Sequence, residues 1–163
     1  MTAAAKKTSS ELAIGDKAPS LTTAFDSAQE INSDSFKGKK VVLYFYPKDD
    51  TPGCTVEAKD FRDMIKDFTK AGAVVIGVSK DSIARHDKFK AKYDLPFPLA
   101  SDEDGSVCDA YGTWVQKSLY GKQYMGIERA TFLIDEKGVI RNIWRKVKVK
   151  GHVQDVLDAV KAL

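Results

Sequence analysis

Two short stretches constrain this chain more than any others: Lys40–Tyr46 (KVVLYFY) and Ala73–Ser79 (AVVIGVS). Both are β-branched, aromatic or aliphatic almost throughout, without the polar alternation of a half-solvated strand, so each predicts a strand buried on both faces. Pro47 ends the first, since proline cannot donate into a ladder. Between the two, Val56, Phe61, Met64, Ile65 and Phe68 recur at helical spacing, with Lys59, Asp60, Arg62, Asp63 and Lys66 largely between them. Ala71-Gly72 closes that helix. Asp81–Tyr93 predicts a second amphipathic helix with Ile83, Phe89 and Tyr93 inward, and Pro96 and Pro98 break the chain before a helix around Gly105–Tyr111. Glu128–Asp135 and Val139–Trp144 form a hairpin turned by Glu136-Lys137-Gly138. Val153–Leu163 closes the chain as a helix with Val153, Val156, Leu157 and Val160 on one face. This order predicts an α/β fold, a mixed central sheet flanked by helices.

Ahead of these elements, Ile14–Phe25 and Ala28–Asn32 carry apolar stretches on either side of Asp26-Ser27, which reads as an N-terminal β-hairpin extension. Met1–Ser10 is small, polar and without periodicity, a loose tail (residues 1–10) before one domain at 11–163. No repeat or linker divides that domain. At 163 residues, 43% hydrophobic and 30% charged, the chain has the composition of a globular domain and not of a disordered one. A formal net charge of +3 is too small to point to nucleic acid or an anionic membrane. No segment approaches the roughly 20 apolar residues of a membrane helix, and nothing at the N-terminus reads as a secretory signal. Two cysteines do not make a disulfide framework. The expectation is a cytoplasmic protein with reduced thiols.

The chemistry concentrates in Pro47–Glu57 (PKDDTPGCTVE), between a buried strand and a helix, where functional loops of α/β proteins collect. Cys54 falls at or just before the first turn of the helix, where unpaired backbone N–H groups and the helix dipole favour an anion, so its thiol is expected to be partly thiolate at neutral pH. Gly53 leaves the amides open, Pro47 and Pro52 stiffen the loop, and Thr51 offers a hydroxyl near the sulfur. A free cysteine with pKa ~8.5 is already about 3% ionised at pH 7, so full ionisation gains only ~30-fold. Enzymes deliver ~10⁶-fold or more, so most of any acceleration must come from oriented donors, and a cation is the part still missing from the loop.

Pro-x-x-x-Thr-x-x-Cys, met by Pro47, Thr51 and Cys54, resembles the signature loop of the peroxiredoxins, and the wider string YFYPKDDTPGCTVEAKDFRD resembles their bacterioferritin-comigratory (PrxQ) subfamily. GDKAPSL, SDEDGSVCDAYG and GIERATFLID extend the likeness over nearly everything after the tail. The resemblance implies a thioredoxin-like fold and a peroxidase that reduces hydrogen peroxide and organic hydroperoxides. In it Cys54 is the peroxidatic nucleophile, Thr51 binds peroxide and sulfur, Pro47 shields the site, and Arg129 is the active-site arginine. A guanidinium suits that role, being always charged and rich in fixed donors. Glu57, one turn from Cys54, would by itself raise the thiol pKa; it fits the site by pairing with Arg129 and orienting it. No metal, flavin or haem is implied, and the resemblance points to a monomer.

The chain departs from this pattern in one respect. Many members of the subfamily carry a resolving cysteine five residues after the first, where this chain has Lys59, and others place it in the next helix, where Ser82–Tyr93 holds none. The other thiol, Cys108, reads as a small buried hydrophobe. The Cys54 sulfenic acid is then reduced by an external thiol, thioredoxin or glutathione with glutaredoxin, in a one-cysteine cycle. The alternative is a peroxide sensor that passes its oxidation to a partner protein.

Other residues invite other readings. His86 and His152 could serve as a base beside Cys54, but both read as solvated surface histidines. Cys54, His86, Cys108 and His152 lack the close ligand pairs of a zinc site, and Cys54 lacks the Cys-x-x-Cys of a disulfide reductase. Arg145–Lys150 (RKVKVK) fits an exposed strand end more than a nucleic-acid patch. Trp114–Tyr124 reads as a loop of packing and turn residues that could also wall the pocket or meet a reductant.

Overall fold

A computed structural model describes residues 11–21, 23–26 and 36–163; the loose tail and the Ala28–Asn32 half of the expected hairpin lie outside the described residues. The two apolar runs form β2 (Lys40–Phe45) and β3 (Ala73–Ser79), paired in parallel from Lys40↔Ala73 to Phe45↔Val78. Among the described residues they occupy the middle of a six-stranded sheet together with β1 (Ala24–Phe25), β4 (Leu99–Ser101), β7 (Ala130–Ile134) and β8 (Ile140–Trp144). Its order is β1-β4-β3-β2-β7-β8, with β2, β3 and β4 parallel and the remaining pairings antiparallel, the mixed sheet expected from the element order.

Alternate residues of β2 supply two separate cores, because successive side chains of a strand point to opposite faces. Val42, Tyr44 and Tyr46 face a layer built with α1 (Pro52–Asp63), α2 (Ile65–Lys70), α3 (Ile83–Tyr93) and α5 (His152–Lys161), through Phe61, Phe68, Phe89 and Val156. Val41, Leu43 and Phe45 face Phe132, Ile140 and the short helix α4 (Ser106–Ala110), through Val107 and Cys108. Tyr44 lies opposite Gly77 on β3, and the ring needs that glycine: a Cβ there would stand 3.0 Å from the Tyr44 hydroxyl and 2.9 Å from Leu99 Cδ2.

The expected inward stripe of the first helix is rotated. Val56 is exposed, while Cys54, Glu57, Ala58 and Phe61 form the buried face. A polar residue thus takes a core position, which a hydrophobicity pattern cannot assign. Met64 separates α1 from α2 where one helix was expected. Of the first half of the expected N-terminal hairpin, Ala24–Phe25 forms β1, which pairs with β4. Residues 15–18 instead run along the β7–β8 turn, with Gly15 N–H donating to Ile140 O and Ala18 N–H to Gly138 O.

Trp114–Tyr124 is not a loop. It forms a separate two-stranded hairpin, β5 (Trp114–Leu119) with β6 (Lys122–Ile127). Its two-residue turn, Tyr120-Gly121, has positive φ at both positions (52° and 80°), the backbone that matches strand twist. Tyrosine is a rare residue at such a φ, so the usual turn signal is missing. The basic run Arg145–Lys150 is not a strand end but the loop that follows β8. Among the described residues no helix is long and apolar enough to cross a membrane.

Candidate active site

Cys54 sits on the third residue of α1, immediately after the arm Pro47–Thr51 that leaves β2. Thr51 caps the helix in an extended conformation and Pro52 opens it, a position where proline has no N–H to lose. Helical hydrogen bonding begins with Thr55 N–H to Thr51 O, so the amides of Gly53 and Cys54 precede the first intrahelical bond. The Thr51 hydroxyl donates to Lys48 O at 2.9 Å. With its one proton committed, that oxygen is left as an acceptor toward any bound O–H.

The sulfur is nearly closed off, Cys54 being 1% exposed and packed in the core with Tyr44 and Phe61. Arg129 comes to it from between β6 and β7, a segment 75 residues away in sequence. Its Nη2 donates to Cys54 Sγ at 3.5 Å and its Nη1 donates to Glu57 Oε1 at 2.8 Å. The backbone around Arg129 is tied down by the basic run: Val147 N–H donates to Arg129 O, and Lys146 N–H to the neighbouring Glu128 carboxylate. Gly53 makes the close approach possible, because a Cβ there would stand 3.1 Å from Arg129 Nη2.

Glu57 is fully buried, and among the described residues its second carboxylate oxygen, Oε2, has no hydrogen-bond partner, nor has the Tyr44 hydroxyl. Burial raises the Glu57 pKa to about 7 against the opposing pull of Arg129. Glu57 is the member of the pair that gives way, since its carboxylate is wholly desolvated while Arg129 keeps 17% of its side chain in solvent. Burial first, then the charges of Glu57 and Cys54, holds the Tyr44 hydroxyl well above the ordinary tyrosine range.

The structure therefore gathers Cys54, Gly53, Glu57 and Arg129 around one sulfur, with Thr51 and Pro47 on the arm beside it. Pro47 also lines a hollow shared with Trp114, Lys117, Tyr124 and Met125 of the hairpin. Cys108 is elsewhere: it is fully buried in the core on the other face of the sheet, and burial followed by the Asp102 carboxylate pushes its thiol far up. Lys59 is on the exposed side of α1.

Both histidine expectations are overturned. His86 is completely buried, its ring between Asp49 and Ala100 O, and His152 is 5% exposed, donating to or accepting from Thr131 Oγ1 at 2.8 Å. Burial lowers the His152 pKa to about 4, which keeps it neutral. Their sequence neighbours look polar, but the helical period placed both inward: His86 falls midway between Ile83 and Phe89, and His152 stands four residues before Val156. Asp49, a further member of this buried group, had no comparable signal.

A mixed sheet of this topology, with a buried cysteine on the first turn of a helix and a guanidinium against its sulfur, defines a cysteine-centred oxidoreductase of thioredoxin-like architecture. Comparison with known proteins makes the class specific. The AhpC/TSA family profile matches residues 14–143, and the chain belongs to that family, the peroxiredoxins, which are thiol peroxidases. Within it the likeness is to the Bcp or peroxiredoxin Q group. A bcp-named protein of Coxiella burnetii is 58% identical over 144 residues, 88% of this chain and 95% of that one. Peroxiredoxin Bcp of Bacillus subtilis is 51% identical over 148 residues, 91% of this chain and 94% of its own. Among solved structures, a Xylella fastidiosa PrxQ variant superposes with TM-score 0.88 at 39% identity, covering 94% of this chain and 98% of its own.

Proposed function

We propose that the Cys54 thiolate attacks the terminal oxygen of a hydroperoxide. The S–O bond forms as the O–O bond breaks, leaving a sulfenic acid on Cys54 and an alkoxide or hydroxide that leaves as alcohol or water once protonated. The observation that carries this reading is the 3.5 Å approach of Arg129 Nη2 to Sγ. A fixed cation there lies where negative charge moves from sulfur to the departing oxygen, the position at which oriented donors contribute most. Thr51, as an acceptor, and the amides of Gly53 and Cys54 complete the cradle, while Glu57 positions Arg129 and Pro47 shields the site. Hydrogen peroxide and organic hydroperoxides are both substrates in this reading. Alkyl peroxide reduction is described for the Xanthomonas campestris bacterioferritin comigratory protein, 46% identical to this chain.

The cycle uses one cysteine of this chain. An external thiol attacks the sulfenic acid to give a mixed disulfide and water, and a second thiol, from thioredoxin or from glutathione with glutaredoxin, returns Cys54 to the thiol. The position of Cys108 on the far face of the sheet supports this. The chain works in this proposal as a monomeric, single-domain enzyme (residues 11–163) of the cytoplasm, where thiols are kept reduced.

The test is intact mass after one equivalent of hydrogen peroxide, quenched within seconds with a sulfenic-acid trap. One adduct mapped to Cys54 is expected, with its rate of formation reduced by about 10²-fold or more in Arg129→Met. If both thiols stay unmodified after minutes, the reading is wrong.

A further inference from the structure

Behind the arm that carries Thr51 and leads into Cys54 lies a group of buried charges unassigned by the peroxidase chemistry. Asp49, on the arm, is 3% exposed, and His86, on α3, is 0% exposed. Asp49 Oδ2 lies 2.7 Å from His86 Nδ1, and Oδ1 accepts from the Tyr46 hydroxyl at 2.6 Å. On the other side of the ring, His86 Nε2 lies 3.0 Å from Ala100 O on β4. The Asp49 backbone N–H donates to Asp81 Oδ2 at 2.8 Å, and Asp81 is itself held by Ser79 Oγ and Arg85 Nε.

A carbonyl oxygen can only accept, and so can an ionised carboxylate. With the Asp49 carboxylate ionised, both ring nitrogens of His86 face acceptors, so both donate and the ring is an imidazolium. A charge at zero exposure persists only when paired and fully hydrogen-bonded, and this one is. Burial alone would lower the imidazole pKa; the hydrogen bond and charge of Asp49, the Ala100 carbonyl and the Asp81 carboxylate outweigh it and hold the pKa above its ordinary value.

We propose that Asp49 and the imidazolium of His86 are a positioning pair, which locks the Pro47–Thr51 arm to α3 and β4 and thereby sets the place of Cys54 and the first turn of α1 relative to Arg129. The Cys54 part rests on the proposed peroxidase chemistry. The neighbouring Asp50 adds a second, solvent-facing tie, accepting from Lys92 Nζ and Tyr93 OH at 2.9 Å each. The two ties differ in kind. Asp50 is screened by water, whereas the Asp49–His86 pair depends on one proton. When that proton leaves, a neutral imidazole has a single N–H for two acceptors. Either the Asp49 carboxylate or the Ala100 carbonyl is then left facing a lone pair in a dry interior, and the arm is released. The groups that bear on this proton are Asp49 on the arm and Tyr46 just before it, Asp81 two residues ahead of α3 and Arg85 in its first turn, and the Ala100 carbonyl of β4. The device is therefore engaged at neutral pH and lost as pH rises through the His86 titration.

The test uses the full chain. Nitrogen-15 spectra of the wild-type imidazoles at neutral pH are expected to show both His86 nitrogens protonated; a single protonated nitrogen would overturn the proposal without any variant. Amide exchange across Asp49–Thr55 should then quicken as pH rises beyond the intrinsic base-catalysed trend, and this excess should vanish in His86→Asn, whose amide keeps the donor to Asp49 but does not titrate. Trapping of the Cys54 sulfenic acid should be slowed about tenfold in His86→Ala at pH 7 and largely restored in His86→Asn. Equal rates in wild type and His86→Ala would remove the positioning role. If wild type forms no sulfenic acid at all, the peroxidase reading fails, while the nitrogen spectra and exchange data still judge the pair.

Discussion

Cys54 and Cys108 are separated by the central sheet itself: Cys54 is buried with Val42, Tyr44 and Tyr46, and Cys108 with Val41, Leu43 and Phe45, the alternate residues of the same strand. A disulfide needs Cα atoms within about 7 Å, and two thiols on opposite faces of an intact sheet cannot meet that requirement. Oxidation with one equivalent of peroxide is therefore expected to leave no intramolecular disulfide. Cys108→Ala should keep the wild-type rate of Cys54 oxidation while losing on the order of 1 kcal/mol of stability from a small buried side chain. Mass spectrometry and urea unfolding read the two effects separately, and a Cys54–Cys108 bridge would show that the sheet opens during turnover.

Gly53→Ala separates the site from the fold. Gly53 is the second residue of α1, where alanine gains less over glycine than the about 1 kcal/mol of a helix interior, and the added Cβ meets only the tip of Arg129, at 3.1 Å. Thermal stability is expected to hold or rise, and the rate of Cys54 oxidation to fall about tenfold as the guanidinium is pushed off the sulfur. A variant that keeps the full rate would show that Arg129 need not stand where it does.

Glu57 links stability to pH. Its folded-state pKa of about 7 lies above the ordinary 4.5, so between those values the folded chain holds a proton that the unfolded chain has released. Stability from this group is complete below about pH 4.5 and is lost as pH rises to about 7, on the order of 3 kcal/mol in all. Glu57→Gln does not titrate, so its stability relative to wild type should increase with pH across that window. Urea unfolding at several pH values checks this; parallel curves would mean that Arg129 keeps Glu57 ionised throughout.

Lys59→Cys places a thiol where many members of the subfamily carry their resolving cysteine. Five residues of α-helix rise about 7.5 Å, already beyond the span a disulfide tolerates, so a bridge to Cys54 requires the first turns of α1 to unwind. After peroxide the variant is expected to lose two hydrogens in mass together with helical signal in the far ultraviolet. A bridge formed with no loss of helix would show that α1 is already open around Cys54.

Much of this protein is determined by sequence alone, because its strongest signals are local. Two almost wholly apolar runs make the inner strands, a proline and a glycine lead into a cysteine at a helix start, and the order of elements makes the sheet mixed. The hairpin Trp114–Ile127 escaped because its turn, Tyr120-Gly121, holds a tyrosine where asparagine or aspartate normally marks the backbone. The tertiary structure decided what depends on distant segments meeting. Arg129 reaches Cys54 across 75 residues, Glu57 is inward because a guanidinium waits there, and Asp49 is buried because His86 offers it a counter-charge. A periodicity scores each side chain against water, and so it sends charged groups outward. Only the fold supplies the partner whose attraction offsets the loss of that water, and in this protein that is how the polar residues around Cys54 come to be buried.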